Sequence, residues 1–193
     1  MAKKSALQPH EFERPVLELS GEMLRAALQV MIAGAEDQGG IERYIDAVKL
    51  KSAMFKQALV EHDVAELDLE TFKGLCTFMA TVRRRVSEWL NEDGLAVMRP
   101  RIVELFADDE HVENRIGRFC DYFPNDKKHR WVKDLAAELL HNADPERVPL
   151  MNRWVWDAKS NTGVIREIWH AENVDHIKIP VSDGYGTYIM LRE

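Results

Sequence analysis

Cysteine is scarce in this 193-residue chain, and long apolar runs, glycine-rich loops and any excess of positive charge are missing. The two cysteines, Cys76 and Cys120, lie inside apolar helical patterns, which predicts reduced core thiols and argues against a disulfide framework. No stretch approaches the ~18 consecutive apolar residues of a membrane span, and Met1–Ser5 is followed by polar residues instead of a signal core. The expectation is a cytoplasmic protein with no membrane partner. Gly-x-x-x-x-Gly-Lys-Ser/Thr, Gly-x-Gly-x-x-Gly, Gly-x-Ser-x-Gly, Cys-x-x-Cys and His-Glu-x-x-His are all absent. No cofactor is called for by the residues. Whether the chain is an enzyme stays open, because scattered Asp, Glu and His can catalyse once a fold gathers them.

What is present is a globular composition, 46% apolar and 31% charged, with 26 Lys+Arg against 33 Asp+Glu and a net charge of −7. The length suits one domain and is ample for a core without metal or disulfide support. Residues 1–124 hold 16 basic and 22 acidic groups, net −6, whereas residues 125–193 hold 10 and 11, net −1. Four of the five tryptophans (Trp131, Trp154, Trp156, Trp169) fall in that near-neutral part, which marks it as the part to search for a contact surface. An acidic surface repels phosphate backbones, so nucleic-acid binding would need a local basic patch.

Periodicity gives mainly helices. Residues 1–15 lack it and read as a flexible arm; residues 16–193 read as one helical domain of five to seven helices. Ser20 can cap a helix to about Asp37 with Leu24, Leu28, Met31, Ile32 and Ala35 on a buried face. Gly39–Gly40 ends it, and Ile41, Tyr44, Ile45, Val48, Phe55 and Leu59 describe a second helix folded back on the first. After Asp68, a helix cap, the residues Phe72, Leu75, Cys76, Met79, Val82, Val86, Trp89 and Leu90 fall within an arc of about 140°, which predicts one long core-facing helix stopped by Asn91–Gly94.

Pro100 limits the next helix to Arg101–Phe106; Asp108–Asp109 opens another carrying Val112, Ile116, Phe119, Cys120 and Phe123; Asn125 or Asp126 caps a third, to about His141. The stretch from Leu150 reads as a short helix, a turn at Ser160–Gly163, and then Val164–Trp169, which fits a strand and a helical turn, the strand being preferred. Residues 174–192 read as a short C-terminal β-hairpin: Val174, Ile177, Ile179 and Val181 on one strand, Asp183–Gly184 as the turn, Thr187–Leu191 as the return. Such a terminal strand is either packed on the helices or available to pair with another chain, a route to homo-oligomers.

Four constellations carry candidate chemistry. Carboxylate-x-x-His, a metal-ligand spacing in helical bundles, occurs at Glu138–His141, Glu167–His170, Asp108–His111 and Asp126–His129. Advancing about 100° per residue puts Glu138 and His141 opposite the face of Val132, Leu135, Ala136 and Leu139, toward water, so no metal site is expected there. Arg83 lies within the apolar arc, as an edge residue, an ion-paired residue or an anchor for a partner carboxylate, while Arg84 and Arg85 face outward. Lys127, Lys128 and Arg130 beside Trp131 have the ingredients of a phosphate contact, diluted by Asp126 and Asp134. Met151, Arg153, Trp154 and Trp156 form the most distinctive passage, because two tryptophans at i, i+2 cannot share one helical face and Trp, Met and Arg are enriched in interface cores.

The leading expectation is a non-enzymatic interaction or accessory protein that binds another protein, or itself, through Met151, Arg153, Trp154, Trp156 and Arg83. The alternatives are a nucleic-acid-binding helical module using Arg84, Arg85, Lys127, Lys128 and Arg130, and a metal-dependent enzyme on a helical bundle.

Overall fold

The computed structural model describes residues 21–107, 110–168 and 178–192. The arm at 1–15, Ser20, Asp108–Asp109, Trp169, His170, Val174 and Ile177 lie outside the described residues, as do the side chains of Leu24 and Glu167. Among the described residues the chain is helical, with no strand and seven helices of eight or more residues. They are α1 (Gly21–Glu36), α2 (Ile41–Lys56), α3 (Leu69–Thr77), α4 (Glu92–Phe106), α5 (Val112–Asp121), α6 (Trp131–Ala143) and α8 (Tyr185–Arg192), with α7 (Ile165–Ile168) a single turn. No described helix is long and apolar enough to cross a membrane.

The centre of the fold is α6, packed against α2, α4 and α5. Eleven of its thirteen residues are buried, polar ones included, so it is covered on every side. Leu135, Ala136, Leu139 and Val132 meet the core as their spacing predicts. Around them gather Phe55 of α2 and Leu59 of the π-helical turn that follows it, Phe72, Leu75 and Cys76 of α3, Met98, Ile102 and Leu105 of α4, and Ile116 and Phe119 of α5.

Several boundaries differ from the periodicity, each for a local reason. The Asp68 carboxylate caps α3 by accepting the Thr71 amide (2.8 Å), but the helix stops at Thr77 instead of continuing to Leu90. A series of turns follows, with Val82 bonded to Met79 and Val86 to Val82 through the backbone, then a 3-10 turn at Val86–Trp89. Met79, Val82 and Val86 are nevertheless fully buried. Apolar burial fixes which residues point inward, and turns satisfy it as well as a helix does.

Asn91 starts a helix instead of stopping one: its side chain accepts the Gly94 amide (2.8 Å) and caps α4. That helix runs through Pro100, which lies on the exposed face with Ala96, so the carbonyl deprived of its donor is near water. Asp126 caps a turn ahead of α6, accepting the Lys128 and His129 amides, while α6 itself begins at Trp131.

The C-terminal β-hairpin is not formed. Thr187–Leu191 lies in α8, and Val164–Ile168 includes the helical turn α7 in place of a strand. The expected short helix after Leu150 is a set of turns, followed by a tight reversal at 157–162 closed by a bridge between Asp157 and Thr162. Gly163 completes this reversal at φ +133°, and a Cβ there would press into the Val155 carbonyl at 2.5 Å. Tyr188 fixes where α8 docks. Its ring is buried and its hydroxyl donates to the Trp156 carbonyl (2.7 Å), while Trp156 Nε1 donates to the Val181 carbonyl (3.0 Å). The extended 178–184 segment is thereby tied to the tryptophan, with the Ile179 amide donating to Asn161 Oδ1 (2.9 Å).

Trp156 therefore joins the C-terminal segments to the 151–157 turns, while Lys133 of α6 pairs with Asp183 (3.6 Å). Trp156→Ala is expected to cost about 3–5 kcal/mol, measured by urea unfolding, whereas Trp154→Ala, two residues away and exposed, should stay within about 0.5 kcal/mol. Equal effects would contradict this arrangement.

Candidate interaction surface

Two carboxylates on α6 organise the polar interior. Asp134, 1% exposed, takes the Arg153 amide (2.9 Å) on one oxygen and Arg153 Nε (2.6 Å) on the other. Burial pushes its carboxyl above the usual range against the pull of Arg153. Glu138 is 3% exposed and engaged by Lys51 Nζ (3.3 Å), Thr81 Oγ1 (3.2 Å) and Asn152 Nδ2 (3.0 Å). The expectation that Glu138 faces water is thus overturned: the side of α6 opposite its apolar face is covered by α2 and by residues 151–157.

His141 Nδ1 bonds the Val148 carbonyl (2.8 Å), and burial holds its pKa below the usual imidazole value. Glu138 and His141 are committed to separate protein partners, and Asp126 bonds His129 directly (2.9 Å). Among the described residues no group of three or more His, Cys, Asp or Glu is gathered for a metal. Burial raises the Cys76 thiol to about 12 and that of Cys120 to about 11, so neither is a thiolate nucleophile near neutral pH. A cavity of about 370 Å³ between α5, α6 and α8 is lined by both acids and bases. Its arginines are engaged, Arg115 Nε with the Leu105 carbonyl (2.8 Å) and Arg147 with Asp144 (3.7 Å).

The residues singled out from the sequence separate into different roles. Met151 and Trp156 are buried, and Arg153 is tied to Asp134, so these three hold the 151–157 segment on α6 and present no contact face. Trp154 alone turns outward, at 64% exposed. Arg83 does not lie on a helical apolar stripe, because α3 ends before it; Arg83, Arg84 and Arg85 are all exposed, with no ion-pair partner among the described residues. Arg130 is paired with Asp157, Lys128 with Glu88 (3.0 Å), and Lys127 is exposed with no ion-pair partner among the described residues.

The largest departure from expectation lies at the other end of the chain. The spacing of Leu28, Met31 and Ile32 of α1 and of Tyr44, Ile45 and Val48 of α2 predicts buried faces, but all six are exposed; among the described side chains of the α1 set only Ala35 is buried. Val30 (73% exposed) and Leu50 add to them. Sequence periodicity located these residues but not what covers them, since a buried stripe and an interface stripe have the same spacing. Contiguous exposed apolar surface of several hundred Å² marks an interaction site on a soluble protein.

Compared with protein-family models, curated proteins and solved structures, the chain matches none.

Asp157 gives the polar framework a testable pH signature. Burial opposes its charge, but the Ser160 hydroxyl and amide and Arg130 outweigh it and hold the carboxyl below the ordinary range. The stabilisation is present above the unfolded-state pKa of about 3.9 and is lost as pH falls through the lower folded value. Asp157→Asn should be less stable than wild type at pH 7, with the gap closing below about pH 4 as the wild-type carboxyl protonates. Urea unfolding at pH 7 and pH 3 measures it, and a constant gap would rule this assignment out.

Proposed function

We propose that this chain is a non-enzymatic interaction or accessory protein that docks a protein partner on the exposed apolar face of α1 and α2, in the cytoplasm. The observation that carries the reading is α1 itself. Ten of its sixteen residues are Ala, Val, Ile, Leu or Met, yet the described side chains other than Ala35 are exposed. A helix apolar around most of its circumference is normally enclosed. Trp154 offers a separate outward aromatic of the kind that anchors interfaces. The free thiols suit a reducing compartment.

The test is affinity capture on tagged wild type, Met31→Glu/Val48→Glu and Trp154→Ala. A protein recovered in stoichiometric amount by wild type and lost, by tenfold or more, from the α1–α2 double variant supports the reading. Equal recovery by that variant counts against it.

A second reading, polyanion binding, has one observation in its favour: the Lys128–Glu88 ion pair brings the turn following Arg83–Arg85 against the turn carrying Lys127. Filter binding should then show retention that falls steeply with salt and drops in Arg84→Ala/Arg85→Ala. No retention at low salt removes this reading.

A further inference from the structure

We infer that the partner on α1 and α2 is a second copy of this chain, the two α1–α2 hairpins pairing across a two-fold axis into an intermolecular helical bundle; this rests on the interaction reading above. The first support is the register of α2. Ile41, Ile45, Val48, Ser52 and Phe55 are separated by 4, 3, 4 and 3 residues, the alternation of a coiled-coil seam. Its C-terminal half is used inside the monomer: Phe55 is buried, and Ser52 Oγ donates to the Asn142 carbonyl on α6 (2.9 Å). Its N-terminal half continues the same seam past the body, where Ile45 and Val48, with Tyr44 beside them, are exposed.

The second support is the circumference of α1. Advancing about 100° per residue, Glu22, Arg25, Gln29 and Glu36 fall in one strip about 60° wide, and everything else on the helix is apolar or glycine. Leu28 and Met31 lie on one side of that strip's axis and Val30 on the far side. One neighbouring helix cannot cover both sides, whereas a bundle of hairpins can.

Charge decides which partner fits. Residues 21–56 carry five basic and five acidic groups, so all of the net −7 lies outside the hairpin. Two acidic bodies repel each other, and the neutral hairpin is where two copies can meet at least electrostatic cost. Glu42, Lys49 and Lys56 recur every seven residues at one position flanking the seam, where interhelical ion pairs set partner and orientation. An antiparallel copy places Glu42 of each chain near the partner's Lys49, a pairing that a two-fold axis repeats. Neither Glu42 nor Lys49 has an ion-pair partner among the described residues, whereas the neighbouring Lys51 is taken by Glu138.

The experiment is sedimentation equilibrium of the full chain over a hundredfold concentration range, with far-UV circular dichroism confirming that each variant keeps its helix content. Wild type should sediment at twice the 22.3 kDa chain mass. Val48→Glu should be monomeric. Glu42→Lys should weaken the dimer about tenfold by placing like charges together, and Glu42→Lys/Lys49→Glu should restore it, a rescue that only self-pairing predicts. A wild type that stays at 22.3 kDa overturns the inference. If that monomer still captures a different protein through Val48, the interaction reading stands without self-pairing; if it captures nothing, both fall. A dimer indifferent to Val48→Glu, or without charge-swap rescue, assembles elsewhere and also overturns it.

Discussion

Two buried carboxylates on one central helix set the terms for the rest of this structure. Asp134 and Glu138 are one helical turn apart on α6, and removing an ionised group from water costs several kcal/mol unless charge and hydrogen bonds replace the solvent. The satisfying groups come from three segments: Arg153 and Asn152 from the turns after Pro149, Lys51 from α2, Thr81 from the turns after α3. The carboxylates therefore fix where three otherwise independent segments lie. Consequences extend further, because residues 151–157, once held by Asn152 and Arg153, carry Trp156 into the core, and Trp156 in turn receives the Tyr188 hydroxyl and anchors Val181. The dependence runs from α6 through the 151–157 segment to α8.

That dependence explains which parts of the structure were legible in the sequence. Local signals sufficed where local chemistry decides: the Asp68 cap, the Gly39–Gly40 reversal with both glycines at positive φ, and the inward set from Phe72 to Val86. They failed where the deciding group is distant. Glu138 reads as solvated when only its own helix is considered, because nothing near it in sequence announces Lys51 or Thr81. Tyr188–Leu191 reads as a strand until Trp156, more than thirty residues earlier, offers a carbonyl to the tyrosine. Asn91 has the same residue type whether it ends one helix or begins the next, and only the bond it makes to Gly94 separates the two.

Trp154 and Trp156 illustrate the same limit from within the candidate site. A helix would make residues at i, i+2 diverge, but the segment is a set of turns, and Trp156 is held inward by the Val181 carbonyl while Arg153, just before Trp154, is pinned to Asp134. The segment first singled out for its aromatics is mostly structural, with Trp154 as its one outward residue. Exposed apolar surface is instead concentrated on α1 and α2, whose stripe has no signature separating an interior face from an interface.

The α1–α2 hairpin also has an energetic consequence for the monomer. Most helical stability in proteins comes from tertiary packing of an apolar face, yet α1 packs mainly on α2 and on the short turn α7. Its apolar side chains thus contribute little to the isolated chain and much to any complex that buries them. Binding and helix stability become linked: a partner that covers α1 raises the free energy of unfolding it by RT ln(1 + [L]/Kd). The buried network around the α6 carboxylates has no counterpart on α1 and the first turns of α2, where the apolar side chains stay exposed.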